Sequence, residues 1–254
     1  MKRRTALVVL AGMLGLAGPA AADETTFCNF FITSLPRVIT TQGHYCFNRN
    51  LSTAITTGDA ITINVDFVVL DLNNFKLGGG SAGLGTNTSG IAATDRSNIT
   101  IRNGNIRGFR YGINIEGGSN ILIENNALDG NTQYGLLAST GTVVVRNNVV
   151  TNTGGSTVEG YAFGIVTWAQ GGYTALVRDN VVSNVFSDTG GTVVGIHSRN
   201  GHTDHNLVKL GSTTGTRIGT QNGFNRDDTV LGASSAAYAF LYSYGQIGHN
   251  FSDP

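Results

Sequence analysis

Val145-Arg146-Asn147-Asn148-Val149-Val150 and Val177-Arg178-Asp179-Asn180-Val181-Val182 are one six-residue phrase written twice. Ile101-Arg102-Asn103-Gly104-Asn105-Ile106 and Ile123-Glu124-Asn125-Asn126-Ala127-Leu128 align with them without gaps. Thr203-Asp204-His205-Asn206-Leu207-Val208 is a weaker copy, and Leu72-Asn73-Asn74-Phe75-Lys76-Leu77 an earlier, divergent one. A second signal precedes each copy from Ile101 on: Gly90-Ile91, Gly112-Ile113, Gly135-Leu136, Gly164-Ile165 and Gly195-Ile196, spaced 22, 23, 29 and 31 residues apart. The spacing grows because of inserts around Gly154 to Tyr161 and Phe186 to Thr192. Self-similarity at a fixed period is the mark of a solenoid.

Each unit holds two or three short runs of alternating, β-branched residues, too small to bury a face alone. Stacking the units buries a continuous core. A period near 22 predicts three strands per coil, with equivalent positions about 4.8 Å apart along the stack because successive coils pair as parallel strands. The Asn-Asn element falls where two strands meet at a tight bend. Asn tolerates the left-handed conformation, and its amide can bond the turns above and below. Asn126, Asn148, Asn180 and Asn206 are therefore expected to form an internal ladder.

The rest of the composition agrees. The 254 residues include 36 Gly and 25 Asn, both poor helix formers, and only 13% are charged. Without a Gly-X-Y period collagen is excluded, and with 40% hydrophobic residues and zero formal net charge the chain is not disordered. No basic run points to nucleic acid. Lys2-Arg3-Arg4, the apolar stretch Leu7 to Ala17 and Ala20-Ala21-Ala22 have the layout of a signal peptide over residues 1–22, too short to span a bilayer. A secreted or periplasmic protein is expected, and Cys28 and Cys46 would close a disulfide there. Residues 23–254 then form one domain, with 23–36 as N-terminal cap and 223–254 as C-terminal cap, leaving about seven or eight coils.

These motifs, with the entry segment Gly43 to Phe47 and the run Val69 to Leu77, resemble right-handed parallel β-helix proteins of the pectate-lyase-like superfamily. The resemblance covers roughly residues 36–222. It implies an all-β fold in which the Gly-Ile strands form the first sheet, with the Asn bend between the second and third. It also implies a binding groove on the outer face of the first sheet.

Period-two alternation then sorts the side chains. If Ile91, Ile113, Leu136, Ile165 and Ile196 point inward, two rows point outward. One is Ala92, Asn114, Leu137, Val166 and His197. The other is Thr94, Glu116, Ser139, Trp168 and Arg199. A next coil starting near Ile218 would add Gly219 and Gln221. The single Trp thus falls on the outer face beside His197 and Arg199, a pairing suited to a sugar ring and a uronate carboxylate. The inserts carrying Glu159, Tyr161 and Asp188 would rise as walls. The competing readings are that Trp168 packs under an insert, that His197 is merely solvated, and that Arg199 pairs with Asp188 or Glu116.

A polysaccharide lyase needs a cation to neutralise the uronate and a base for the adjacent proton. Arg199 and His197 are the candidate catalytic pair. Trp168, Glu116, Tyr161, Glu159, Asp188 and Gln221 are candidate substrate contacts. A glycosidase would need two carboxyl groups about 5–10 Å apart, and only Glu116 lies on the outer rows, so lyase chemistry is favoured. No metal or cofactor is expected: His202, Asp204 and His205 lack zinc spacing, and no Ca²⁺ cluster is visible. The paired-Asp and Gly-His-Gly elements of polygalacturonases do not occur in order, and the Asp-Pro-His element of mannuronan epimerases is absent. Two readings follow: an exported protein that binds and cleaves an acidic polysaccharide, or a non-catalytic glycan-binding or structural module of the cell surface.

Overall fold

The computed structural model describes residues 27–234, 239–241, 245–247 and 251–253. The signal peptide expected over 1–22 lies outside them. The central coils turn through three short strands, as in Tyr111–Glu116, Ile121–Glu124 and Ala127–Asp129. The next coil repeats them as Tyr134–Thr140, Val143–Arg146 and Val149–Thr151. All pairing between these coils is parallel and without a register shift. The stack therefore has three faces, called here first, second and third in chain order. Near the C-terminal end, Val193–Asp204 and Arg217–Arg226 each run unbroken through the first and second faces.

The core is three files of aliphatic side chains. Ile91, Ile113, Leu136, Ile165 and Ile196 line the first face, Ile101, Ile123, Val145 and Val177 the second, and Ile106, Leu128, Val150, Val182 and Val208 the third, all fully buried. Burying one such side chain stabilises by roughly 1.5–3 kcal/mol. No single coil holds enough of them to stand alone.

The glycines that precede the first-face aliphatics are required by space. A Cβ on Gly112 would lie 2.5 Å from the carbonyl oxygen of Gly135, and one on Gly135 would lie 2.5 Å from that of Gly164. At this bend the main chains of successive coils approach too closely for any side chain.

The Asn bend works in two parts. Asn125, Asn147 and Asp179 take the left-handed conformation (φ 55°, 53° and 56°). The next residue in each case points inward. Asn126, Asn148, Asn180 and Asn206 are buried, and each Oδ1 accepts the backbone N–H one coil back, at 2.9–3.0 Å. Each Nδ2 donates to the Oδ1 of the next rung at 2.9–3.1 Å. The last of these acceptors is Asp228, whose Oδ1 takes both Asn206 donors while its Oδ2 accepts from the Thr203 hydroxyl.

Burial pushes the Asp228 carboxyl up to about 6, against the opposing pull of these hydrogen bonds. A raised carboxyl favours the neutral folded form, so its contribution to stability is full below about pH 4 and is lost as pH rises through 6. Asp228→Asn should therefore raise stability by about 2–3 kcal/mol at pH 7.5, by about 1 kcal/mol at pH 4.5 and by nearly nothing at pH 3. Thermal melts of both proteins across this range check it, and an equal shift at pH 7.5 and pH 3 would contradict the assignment.

Charges also stack in register. Asp71, Arg102, Glu124, Arg146, Arg178, Asp204 and Arg226 occupy one file at the end of the second face. Arg102 bonds Asp71 at 2.8 Å, Arg146 bonds Glu124 at 2.7 Å, and Arg226 bonds Asp204. These three ion pairs lie on the second face, away from the first.

Cys28 and Cys46 are joined in a disulfide that ties the segment before Phe30–Ile32 to the strand Gly43–Phe47. Phe30–Ile32 itself pairs with that strand. In the segment expected to cap the C-terminal end, Phe240–Leu241, Gly245–Ile247 and Phe251–Asp253 continue the three ladders by a further turn. Among the described residues no helix is long and apolar enough to cross a membrane.

Candidate functional site

The outer rows of the first face lie where alternation places them. Ala92, Asn114, Leu137, Val166 and His197 are in one register file, and Thr94, Glu116, Ser139, Trp168 and Arg199 in the next. The coil after His197 needs a correction. Ile218 pairs with Val194, and the inward partner of Ile196 is the buried Thr220. Gly219 is therefore the counterpart of Gly195, not an outward residue, and a Cβ on Gly195 would lie 2.8 Å from its carbonyl oxygen. Gln221 is outward, beside His197 rather than beside Arg199. The Gly-Ile order is inverted in this coil, which is why simple alignment on Ile218 slips by two residues.

Trp168 is 42% exposed, and the Arg199 guanidinium carbon sits 4.4 Å from its ring centroid. The two are register partners on adjacent coils, so the stacking follows from the ladder. On its other side Arg199 meets no register partner: His197 pairs with Gln221 and Gly201 with Gly223, so three residues face one across the bulge. Bulges of this kind re-aim side chains beside functional sites. Among the described residues Arg199 forms no ion pair; neither Asp188 nor Glu116 is its partner.

Trp168 and Glu116 line a groove of ≈ 560 Å³ that also receives Asp95, Leu137, Ser139 and Gln170. The amide of Gln170 donates to the Ser139 hydroxyl at 2.8 Å. Asp95 was not legible from alternation, because it stands one residue past the outward row in the left-handed conformation (φ 52°). The clue was Gly117 in the next coil. A Cβ there would lie 2.0 Å from Asp95 Oδ1, so the missing side chain makes room for the carboxylate.

His197 is half-buried between the rows. Its Nδ1 is 2.9 Å from the Gln221 Oε1. Since that oxygen can only accept, Nδ1 carries the proton and Nε2 keeps its lone pair. Burial holds the imidazole below its ordinary range, against the opposing effect of the Gln221 bond, and Arg199 lowers it further. The ring is neutral at pH 7.

The remaining candidates stand apart from Trp168. Tyr161 belongs to a cluster at the opposite end of the same strand, Ala162–Ala169, where Tyr111, Tyr134 and Phe163 stack with centroids 4.8 and 5.3 Å apart. Tyr161 sets its ring at 79° to Tyr134 and 78° to Phe163. Glu159 lies 3.8 Å from Arg110, which also bonds Gln133 and Asn87. Asp188 is exposed in its insert, with Oδ2 3.5 Å from where a Gly155 Cβ would be. The stack had a sequence signal that alternation passed over: Tyr111, Tyr134 and Phe163 each stand immediately before a ladder glycine.

Residues 68–209 match the family model described as the right handed beta helix region. The chain belongs to that family. No curated protein matches it. Among solved structures it is similar to the Dettilon tailspike protein (gp208), at 14% identity and a TM-score of 0.44, over 87% of this chain and 60% of that one. The chain thus spans less than two thirds of the tailspike's length.

Right-handed β-helix members share the scaffold, so chemistry must come from the side chains set on it. One further cluster has the side chains of a metal site. Asp204, His205 and Asp227 bring ligand atoms within 4.8 Å of one another. The Asp204 carboxylate is already held by the Arg226 guanidinium through both its oxygens and by His205 Nδ1. A donor set neutralised by an arginine suits an ion pair better than a cation.

Proposed function

We propose that this protein, exported from the cytoplasm, binds an acidic polysaccharide on the outer side of its first face. The observation that carries the reading is Trp168: an exposed indole on a rigid strand, with an arginine against its ring that has no carboxylate partner among the described residues. An indole face suits the C–H face of a pyranose, and the planar guanidinium can take a uronate carboxylate on two N–H groups. The disulfide is in keeping with an oxidising compartment.

His197 supports a second step, cleavage by β-elimination. It lies two residues before Arg199 on the same side of one strand, roughly 7 Å away. Its Nε2 could take the proton next to the uronate carboxylate while Arg199 stabilises the resulting charge; the electron pair then forms a ring C=C bond as the glycosidic C–O bond breaks, and the leaving oxygen takes its proton from water.

Both readings are tested on pectate, alginate and glycosaminoglycans. Binding should quench the fluorescence of the single Trp. In isothermal titration calorimetry, which needs no indole signal, Trp168→Ala should weaken binding at least tenfold, about 1.4 kcal/mol. Arg199→Gln should do the same and flatten the salt dependence. Absorbance of unsaturated uronate should rise with the wild type and not with His197→Ala. Binding without such absorbance selects the non-catalytic module. Absence of binding to every acidic glycan removes the proposal.

A further inference from the structure

We propose that the glycan site has two ends, the second being the pocket at Tyr161, and that its ligand runs along the strand direction between them. This rests on the reading of Trp168 and Arg199 as a sugar site.

The second end is a built aromatic corner. Tyr134, Tyr161, Phe163, Gly160, Gly191 and Thr192 line an open depression of ≈ 560 Å³. Tyr161 is 36% exposed and held nearly perpendicular to two stacked rings. It has little freedom to lose on binding, which makes it a preorganised platform. Gly191 closes the corner because its Cα abuts the carbonyl oxygen of Gly160; a Cβ there would sit 1.7 Å from that oxygen.

The two ends share one strand. Phe163 and Trp168 both belong to Ala162–Ala169, so at about 3.3 Å per residue they stand roughly 16 Å apart, room for about three pyranose rings. The surface between them is low. Val166, on the strand between them, is only 7% exposed, and the His197 ring joins the ends, 6.3 Å from Phe163 and two residues from Arg199.

Charge selects this direction over the axis of the solenoid. A chain running along the axis from Trp168 would pass Ser139 and then Glu116 and Asp95, whose carboxylates line that groove and repel an acidic polymer. The path along the strand meets His197, Gln221 and Phe163. Near its far end the Glu159 carboxylate is opposed by Arg110. The Tyr161 end is thus uncharged in balance and the Trp168 end is cationic. The ligand that fits is an oligosaccharide of at least three rings, with a neutral sugar at Tyr161 and an acidic one at Arg199.

The probes are hyaluronan oligosaccharides of two and six rings, in which uronate alternates with a neutral amino sugar, read by Trp168 fluorescence. The six-ring probe should bind at least tenfold more tightly than the two-ring probe. Tyr161→Ala should reduce it to two-ring affinity and leave the two-ring affinity unchanged, while Tyr161→Phe, which keeps the ring, should behave as wild type. Equal affinity for both lengths, with no effect of Tyr161→Ala, overturns the two-ended site and leaves the Trp168 reading standing. If neither probe, nor any acidic glycan of the panel above, changes the fluorescence, the acidic-glycan reading fails and the two-ended site fails with it; if a panel glycan binds and the hyaluronan probes do not, the two-ended site alone is overturned. Circular dichroism of each variant separates loss of binding from loss of fold.

Discussion

Gly164→Val should destroy the cooperative thermal transition or lower its midpoint by more than 10 °C, whereas Gly80→Ala should melt as wild type does. A Cβ at position 164 would lie 2.4 Å from Val182 Cγ1 and 2.6 Å from the carbonyl oxygen of Gly195. A rotamer change relieves the valine contact, but the carbonyl belongs to the main chain of the next coil. Relief there means separating two coils whose parallel ladder is otherwise in register. Overpacking of side chains alone costs typically 1–3 kcal/mol. A main-chain clash should exceed that, and for a domain of this size each kcal/mol moves the midpoint by about 2–4 °C. Nothing lies within 4 Å of a Cβ on Gly80, which makes it the matched control. Melting curves followed by circular dichroism decide the matter, and similar curves for both variants would refute the close-approach account.

A second pair of substitutions separates two adjacent asparagines. Asn148→Leu should cost roughly 3–5 kcal/mol, and Asn147→Gly close to nothing. Asn148 is fully buried. Its Oδ1 accepts the Asn126 N–H at 3.0 Å, and its Nδ2 donates to the Ile123 and Arg146 carbonyl oxygens, both at 2.9 Å. Leucine leaves these groups without partners in a dry interior, where each unmet group costs about 1–3 kcal/mol. Asn147 is exposed and supplies only a left-handed backbone (φ 53°), which glycine adopts freely. Urea denaturation gives both values. Equal losses would mean that the ladder contributes no more than the bend does.

These two experiments also mark how far reading the chain residue by residue could go. The Asn-Asn phrase carried enough information to place the ladder, because a buried amide that must bond coils above and below can recur only in register. Alternation likewise placed Trp168, Glu116, His197 and Arg199 outside, since residues two apart on a strand share a face. It failed where the backbone leaves the strand. Asp95 in its left-handed corner, Tyr134 and Phe163 before their glycines, and the shifted coil at Ile218 all lie at bends, where parity is not conserved.

Repeat, hydrophobic period and paired cysteines were thus enough to determine a three-stranded solenoid with a disulfide near its start, because each depends on local spacing. The tertiary structure alone decided that Arg199 stacks on Trp168 without a carboxylate partner among the described residues. It also decided that Gln221 sets the tautomer of His197 and that Tyr161 closes a separate corner. Those outcomes depend on which coils are neighbours and on how many residues each uses to turn. The distance between two side chains on different coils is set by the inserts and bulges between them, and no single repeat encodes it.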